Sequence, residues 1–301
     1  MRNFRTAALA CLLALSARGA AQSNQPGGAL GAKVRELINA SGAETVGIAF
    51  RDLESGGELF INEHASFHAA STMKVPVMLE VYRQADAGRL SLDSRLPIKN
   101  EFKSIADGST FSVLPEDDSE QTLYRKVGGE ETVRELVRLM VTESSNLATN
   151  ILIEHVTAAR VMNLCRRLGA REMRVLRGVE DGKAFERGMN NTTTARDLLV
   201  LLRAVAEGRA VSRRASLEVA DVLAAQKFNE GLPAGLPKGL RVAHKTGSIT
   251  AIEHDAGIVY PPGRRPYVLV VLVRGIKEPA RAHRLIADIS RAVYESLAAR
   301  H

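Results

Sequence analysis

Strand-like segments lie near both ends of the chain, and helical periodicity fills the region between them. Alternating and apolar patterns predict strands at residues 45–52 and 58–62, before any long helix. Strand patterns return late, at residues 256–260 and 267–273, and a final amphipathic helix follows. We therefore predict an α/β (α+β) fold with one sheet built from both termini and a helical block inserted as a second lobe.

The predicted lobe boundaries follow this change of pattern. Residues 22–66 and 226–301 are assigned to the sheet lobe, and residues 67–225 to the helical lobe. The chain has 301 residues, 45% of them hydrophobic, which is enough apolar material for a sizeable core. A cleft between two such lobes is a usual position for a small-molecule site.

The first 21 residues are typical of a secretory signal peptide. Two arginines precede an apolar run that is too short to cross a bilayer, and small residues follow it. We therefore expect an exported protein, periplasmic or secreted, without a membrane span. The chain carries 41 basic and 34 acidic residues without a basic run or interleaved aromatic residues, so nucleic-acid binding is not indicated.

Ser71 and Lys74 lie one helical turn apart at the start of a predicted helix. A serine hydroxyl needs a nearby proton acceptor to act as a nucleophile, and a lysine desolvated in a cleft can supply one. Pro76 fits only near a helix start, which places Ser71 where negative charge on a reacting carbonyl is favoured. Taken alone, this short motif fits equally a serine N-cap followed by a solvated lysine.

Two further motifs lie at predicted junctions. Residues 144–146 read Ser-Ser-Asn between two helical periods, where a hydroxyl and a carboxamide can relay a proton and hold an amide, or merely cap a helix. Residues 245–247 read Lys-Thr-Gly after a predicted strand at residues 240–243. That motif can bind a carboxylate and leave backbone N–H groups for an oxyanion, or it can be a strand entering a turn.

The three motifs together, in this order and with wide separations, resemble those of the class A β-lactamases and penicillin-binding proteins. The resemblance to class A β-lactamases runs from about residue 45 to the C-terminus, and it is strongest to the less-studied members described as serine hydrolases. It implies a two-lobed β-lactamase/transpeptidase-like fold in which helices flank an antiparallel sheet. It also implies a serine β-lactamase whose acyl-enzyme is deacylated by water.

The resemblance assigns roles residue by residue. It implies that Ser71 attacks the β-lactam carbonyl, that Lys74 assists its deprotonation and that Ser144 passes a proton to the leaving nitrogen. Substrate binding falls to Asn146, Lys245, Thr246 and Ser248, with the backbone N–H groups of Ser71 and Ser248 forming the oxyanion hole. No cofactor and no metal are implied. We expect a monomer whose partner is a small-molecule β-lactam substrate.

Two departures from the family concern scaffolding and the cleft. Ser145 stands where the family usually has Asp in the second motif, which puts the local scaffold in question more than the chemistry. The segment at residues 101–124 is longer than the family suggests and is acidic at residues 116–118. We expect this segment to form an additional rim on the cleft.

The third departure concerns the family's deacylating Glu, which usually lies in an R-x-E-x-x-x-N pattern. The corresponding loop here begins at Arg177, and Glu180 is the best candidate, one position off that spacing; Asp181 and Glu186 are the alternatives. Without a working base the same fold acylates and stalls. The alternative function is therefore a D-alanyl-D-alanine carboxypeptidase or penicillin-binding protein acting on peptidoglycan peptides. A non-enzymatic β-lactam or muropeptide sensor domain is a third hypothesis. Sensors of this kind usually need a membrane tether to transmit a signal, and the sequence shows no such segment.

Overall fold

The computed structural model describes residues 27–299, so the predicted signal peptide lies outside the described residues. The helices are α1 (Gly27–Ser41), α2 (Lys74–Asp86), α3 (Val133–Thr142), α4 (Asn146–Val156), α5 (Ala158–Leu168), α6 (Gly182–Glu186), α7 (Ala195–Ala206), α8 (Arg213–Ala224) and α9 (Pro279–Ala298). Four short 3₁₀ helices are η1 (Ala70–Met73), η2 (Pro115–Asp117), η3 (Leu123–Lys126) and η4 (Leu232–Gly235). None of the helices in this range is long and apolar enough to cross a membrane.

The strands form one large sheet and three two-stranded pairs. They are β1 (Thr45–Asp52), β2 (Glu58–Ile61), β3 (Phe67–His68), β4 (Arg95–Pro97), β5 (Phe102–Lys103), β6 (Thr110–Phe111), β7 (Glu130–Thr132), β8 (Thr192–Thr193), β9 (Arg241–Ile249), β10 (Ile252–Tyr260) and β11 (Tyr267–Arg274). The five-stranded sheet has the order β2-β1-β11-β10-β9, and its neighbours are antiparallel. Strands from both ends therefore meet in one sheet, as the sequence predicted.

Both faces of the sheet are buried, and β11 shows why its sequence is a continuous apolar run. Val268, Val270 and Leu272 face the larger core, which contains helices α2 to α5, α7 and α8. Leu269 and Val271 alternate with them and face a second core with α1 and α9. A strand covered on both faces needs apolar side chains at every position, because successive side chains point to opposite faces. This packing confirms the predicted fold class, whereas the lobe boundaries remain a prediction.

Three elements differ from the sequence prediction in extent. The polar, Gly-containing stretch at residues 22–30 predicts an entry segment before a short amphipathic helix that ends at Gly42, but helix α1 already begins at Gly27. Strand β9 continues to Ile249, so the Lys-Thr-Gly motif lies inside the strand and not in a turn after it. Strand β10 begins at Ile252, because its polar residues Glu253 and His254 pair with Ser248 and Gly247 of β9. Both strands extend further than their local hydrophobicity predicts because they pair with each other.

Candidate active site

Ser71 lies in η1, which runs directly into α2, as the sequence predicted. The turn that carries it is held by hydrogen bonds between side chains and backbone: the Ala70 N–H donates to Nδ1 of His68 over 3.1 Å, and the Thr72 hydroxyl donates to the Ala69 carbonyl over 2.5 Å. Ser71 is half-buried and lines two adjoining depressions of about 470 and 260 Å³. The serine therefore faces a cleft large enough for a small molecule.

Gly247 allows β9 to run close to the turn that carries Ser71. A Cβ at this position would lie 3.1 Å from the Thr72 side chain and 3.2 Å from the backbone nitrogen of Ser71. Any larger side chain would push the strand away from η1. The glycine of the third motif thus lets β9 run against the backbone of Ser71, and Ser248, the next residue, lines the same two depressions as Ser71.

Ser144 joins the lysines of the first and third motifs. The Nζ of Lys74 donates to the Ser144 carbonyl over 2.7 Å and to its Oγ over 3.2 Å, and the Nζ of Lys245 donates to the same Oγ over 3.1 Å. A serine oxygen has two acceptor positions and one proton. The Ser144 hydroxyl therefore connects the lysine of the first motif with the lysine of the third.

Burial changes the protonation of both lysines. Desolvation lowers the pKa of Lys74 to about 7, although the charges of Asp118 and Glu180 oppose this change. Desolvation and then the charge of Lys74 hold the pKa of Lys245 well below its ordinary value, with Asp255 opposing. An amine whose pKa lies near neutrality is partly unprotonated at physiological pH, so Lys74 can accept a proton there.

Asn146 connects Lys74 with Glu180. Its Oδ1 accepts from the Lys74 Nζ over 2.9 Å, while its Nδ2 donates to Oε1 of Glu180 and to the Asp117 carbonyl, each over 3.2 Å. Glu180 is exposed at the mouth of the larger depression. Desolvation by the surrounding walls, and then the charge of Asp117, raise the pKa of Glu180, whereas Lys74 and Arg177 act in the opposite direction.

The loop that carries Glu180 is tied to α4 and to its own far end. The Asn150 side chain accepts from the Val179 N–H over 2.7 Å and donates to the Val179 carbonyl over 3.0 Å. The Asn191 side chain likewise both accepts from and donates to the backbone of residues 176 and 177. Neither asparagine belongs to one of the three sequence motifs. The one available indication was that Asn150 follows Asn146 by four residues, on the same side of a predicted helix.

Asp181 and Glu186, the alternatives to Glu180, occupy different surroundings. Asp181 is buried, and its carboxylate accepts from the Ser104 hydroxyl over 2.7 Å, the Ile105 N–H over 3.0 Å and the Ala184 N–H over 3.1 Å. Its oxygens are therefore committed to holding α6 against the segment at residues 101–124. Glu186 is exposed and is not among the residues that line either depression. Asp181 and Glu180 both line the larger depression, but the Asp181 carboxylate is buried and held by three donors whereas Glu180 is exposed there.

The remaining sequence-predicted residues also lie at the cleft. Thr246 lines the smaller depression, and its carbonyl accepts from the Nζ of Lys245 over 2.9 Å. Ser248 lines both depressions, and its hydroxyl donates to Oε1 of Glu253 over 2.7 Å. Asp117 lines both as well, so the segment at residues 101–124 contributes to the rim. Within residues 27–299 no group of three or more His, Cys, Asp or Glu side chains is arranged to hold a metal ion.

Comparison with known proteins agrees with this geometry. A model of the beta-lactamase enzyme family matches residues 29–297. A β-lactamase of Bacteroides uniformis is 30% identical over 281 residues, covering 88% of this chain and 90% of the relative. The solved structure of PBP-A has a TM-score of 0.78 at 29% identity, covering 90% of this chain and 96% of that one. A β-lactamase of Sphaerobacter thermophilus has a TM-score of 0.77 at 28% identity, covering 90% and 97%.

The antiparallel sheet, the helices on its two faces and the serine at their cleft define the class of fold that β-lactamases and PBP-A share. Within that class, the chain belongs to the beta-lactamase enzyme family. The family and the named relatives place its activity among hydrolases that act on β-lactams.

Proposed function

We propose that this chain is a serine β-lactamase that hydrolyses the β-lactam amide through an acyl-enzyme on Ser71. The observation that carries the proposal is the buried Lys74, which lies one turn after Ser71 and has a pKa of about 7. Its Nζ contacts Ser144 and Asn146, so the first two motifs form one connected hydrogen-bond network. A variant of the similar protein PBP-A has been solved as an acyl-enzyme complex with penicillin G, which supports the same chemistry here.

Acylation begins when the Ser71 Oγ attacks the β-lactam carbonyl carbon and its proton passes to the unprotonated Nζ of Lys74. The backbone N–H groups of Ser71 and Ser248 hold the oxyanion of the tetrahedral intermediate. When that intermediate collapses, the ring C–N bond breaks and the nitrogen takes the Ser144 hydroxyl proton. Lys74 then passes a proton to Ser144 along their 3.2 Å contact, which returns both groups to their starting protonation states.

Substrate binding is assigned to the third motif and to Asn146. The Nζ of Lys245 and the hydroxyl of Thr246 bind the carboxylate of the β-lactam, because a cation beside a hydroxyl matches that group in charge and hydrogen bonding. Asn146 binds the side-chain amide of the substrate. An arriving carboxylate also favours the protonated form of Lys245, whose pKa is low in the empty cleft.

Deacylation requires a base that activates a water on the open side of the ester. We assign this role to Glu180, since its carboxylate faces the same cleft as Ser71 while the carboxylate of Asp181 is already bound by three donors. The water gives its proton to Glu180 and its oxygen to the acyl carbon. The ester bond to Ser71 then breaks, and the proton returns to the Ser71 oxygen.

A D-alanyl-D-alanine carboxypeptidase is the second candidate, and the likeness to PBP-A favours it. The two functions separate when the purified protein is assayed for steady-state hydrolysis of nitrocefin beside release of D-alanine from a D-Ala-D-Ala peptide. A β-lactamase hydrolyses nitrocefin with many turnovers and leaves the peptide nearly intact. Stoichiometric acylation by nitrocefin with rapid release of D-alanine would contradict the proposal.

We further propose that the protein is exported, to the periplasm or the medium, and acts as a monomer. The support for export is the arginine-led apolar segment within residues 1–21. Fractionation of producing cells followed by N-terminal sequencing should find a chain that begins near Gln22 outside the cytoplasm. Recovery of the full-length chain from the cytoplasm alone would contradict this proposal.

A further inference from the structure

Asp118 lies beneath the cleft rim and binds the start of α4. Its side chain is only 5% exposed, although the neighbouring acids Glu116 and Asp117 are exposed. Its Oδ2 accepts from the Asn146 N–H over 2.8 Å and from the Leu147 N–H over 2.9 Å, the first two donors of α4. These contacts span 28 and 29 residues along the chain.

Other donors complete the surroundings of this buried carboxylate. The Tyr124 hydroxyl donates to Oδ2 over 2.8 Å, and the Glu120 N–H donates to Oδ1 over 3.1 Å. The first N–H groups of a helix have no partner within the helix, and the helix dipole favours a negative charge beside them. A buried carboxylate with several donors is therefore stable in this position and holds the turn firmly.

Ser145 and Asp118 divide the capping of α4 between them. The Ser145 Oγ accepts from the Ala148 N–H over 3.2 Å and serves as the N-cap, whereas Asp118 takes the donors of residues 146 and 147. The Ser145 hydroxyl also donates to Oδ2 of Asp118 over 3.3 Å. The serine is thus too short to bind all these donors, and the carboxylate that the motif lacks comes from another segment.

We propose that Asp118 is a positioning residue for the Ser-Ser-Asn motif, supplying from the segment at residues 101–124 the carboxylate that fixes the turn carrying Ser144 and Asn146. The inference rests on the proposed function, because it gives that segment a part in the same reaction. Ser144 and Asn146 both bind the Nζ of Lys74, so a displaced turn would also displace the proton acceptor. The segment therefore supports the catalytic network in addition to forming the rim.

The charge of Asp118 acts on Lys74 as well. The groups that face Lys74 are Asp118 from this segment, Glu180 from the loop before α6, Lys245 from β9, and the uncharged Ser144 and Asn146. Asp118 and Glu180 both raise the pKa of Lys74 against the effect of burial. Replacing Asp118 by a neutral residue therefore lowers the pKa of Lys74 further, and the pH above which acylation is fast moves down.

The test moves the carboxylate from one segment to the other. Because the Ser145 Oγ lies 3.3 Å from Oδ2 of Asp118, an aspartate at position 145 reaches the same donors. We would compare Asp118→Asn, Ser145→Asp and the double variant, with Glu116→Gln as an exposed acid of the same segment. The readout is the rate of covalent labelling by a fluorescent penicillin across a pH series, together with the free energy of unfolding in urea.

Asp118→Asn should slow labelling by roughly 10- to 100-fold, within the range for losing hydrogen bonds to a charged group. Its labelling profile should shift to lower pH. Ser145→Asp alone should also slow labelling, because it sets two carboxylates against each other. The double variant should recover most of the lost rate and stability, and Glu116→Gln should match the parent in both.

The inference is overturned if Asp118→Asn labels like the parent with an unshifted profile, or if the double variant is no better than Asp118→Asn. Should Asp118→Asn fail to fold, Tyr124→Phe removes one donor, keeps the carboxylate, and should cause a smaller loss of rate. A parent that is labelled but never hydrolyses nitrocefin removes the proposed β-lactamase activity and leaves this inference standing. If the parent is not labelled at all, the unfolding free energies of the parent and the four variants test the contact, and a double variant no more stable than Asp118→Asn overturns the inference.

Discussion

Replacing Gly178 with alanine tests whether the loop must be tied to α4 for Glu180 to work. The backbone at Gly178 lies outside the left-handed region, so the effect of the substitution comes from space. The new Cβ would lie 2.1 Å from Oδ1 and 2.9 Å from Cγ of Asn150, which is too close for the carboxamide to stay. Both hydrogen bonds between Asn150 and Val179 must then break.

The expected size of the effect follows from those two bonds. A neutral hydrogen bond contributes about 0.5–1.5 kcal/mol, and a buried group left without a partner costs about 1–3 kcal/mol. Two lost bonds therefore weaken the observed position of the loop by about 1–3 kcal/mol, or roughly 5- to 140-fold, and by more if either group stays buried without a partner. Deacylation should fall by up to that factor, while acylation is nearly unchanged because η1 and α2 hold Ser71 and Lys74.

Intact-mass spectrometry after mixing with a penicillin measures this directly, since a slow second step leaves the acyl-enzyme visible. Asn150→Ala removes the same two bonds without adding bulk and should stall in the same way. Gly182→Ala is the matched control, because no atom lies within 4 Å of a Cβ at that position. Turnover of Gly178→Ala at the parent rate, with an unchanged melting temperature, would refute the role given to the loop.

Three further predictions concern the titratable groups of the cleft. Glu180→Gln keeps the shape of the side chain and removes the base, so hydrolysis should slow by roughly 10²–10⁴-fold while the acyl-enzyme accumulates and Glu186→Gln turns over normally. Lys245→Ala should lower kcat/KM for carboxylate-bearing β-lactams by roughly 10- to 150-fold, or about 1.5–3 kcal/mol, without unfolding. Because unprotonated Lys74 is the active form and its pKa is lowered to about 7, acylation followed by stopped flow should rise with pH through that value.

The sheet and most helices were predictable because their signals are local. The short run of apolar and small residues at 46–50 matches β1, and the apolar residues that recur at helical spacing from Val133 match α3, whose N-cap Thr132 accepts from the Glu135 N–H. The extent of β9 was not predictable, since residues 244–248 are polar or small and become a strand only through pairing with β10. A pairing partner several residues away leaves no mark in a local window.

The residues of the candidate site likewise include some that the sequence identifies and one that it does not. Ser71 and Lys74, or Ser144 and Asn146, are close in sequence, so motif spacing was enough to identify them. Asp118 could not be identified, because it reaches α4 across 28 residues and reads as one exposed acid among three. Long-range contacts of this kind depend on the folded path of the segment at residues 101–124, which the motifs do not describe.

The central claim, a covalent intermediate on Ser71, is tested most directly by locating the adduct. The purified protein should be mixed with a penicillin, quenched within the first turnovers and digested, and its peptides mapped by mass spectrometry. The account predicts one penicilloyl group, on the peptide that contains Ser71, and none in Ser71→Ala. A folded parent protein with neither adduct nor turnover, or with its adduct on another peptide, would contradict the account.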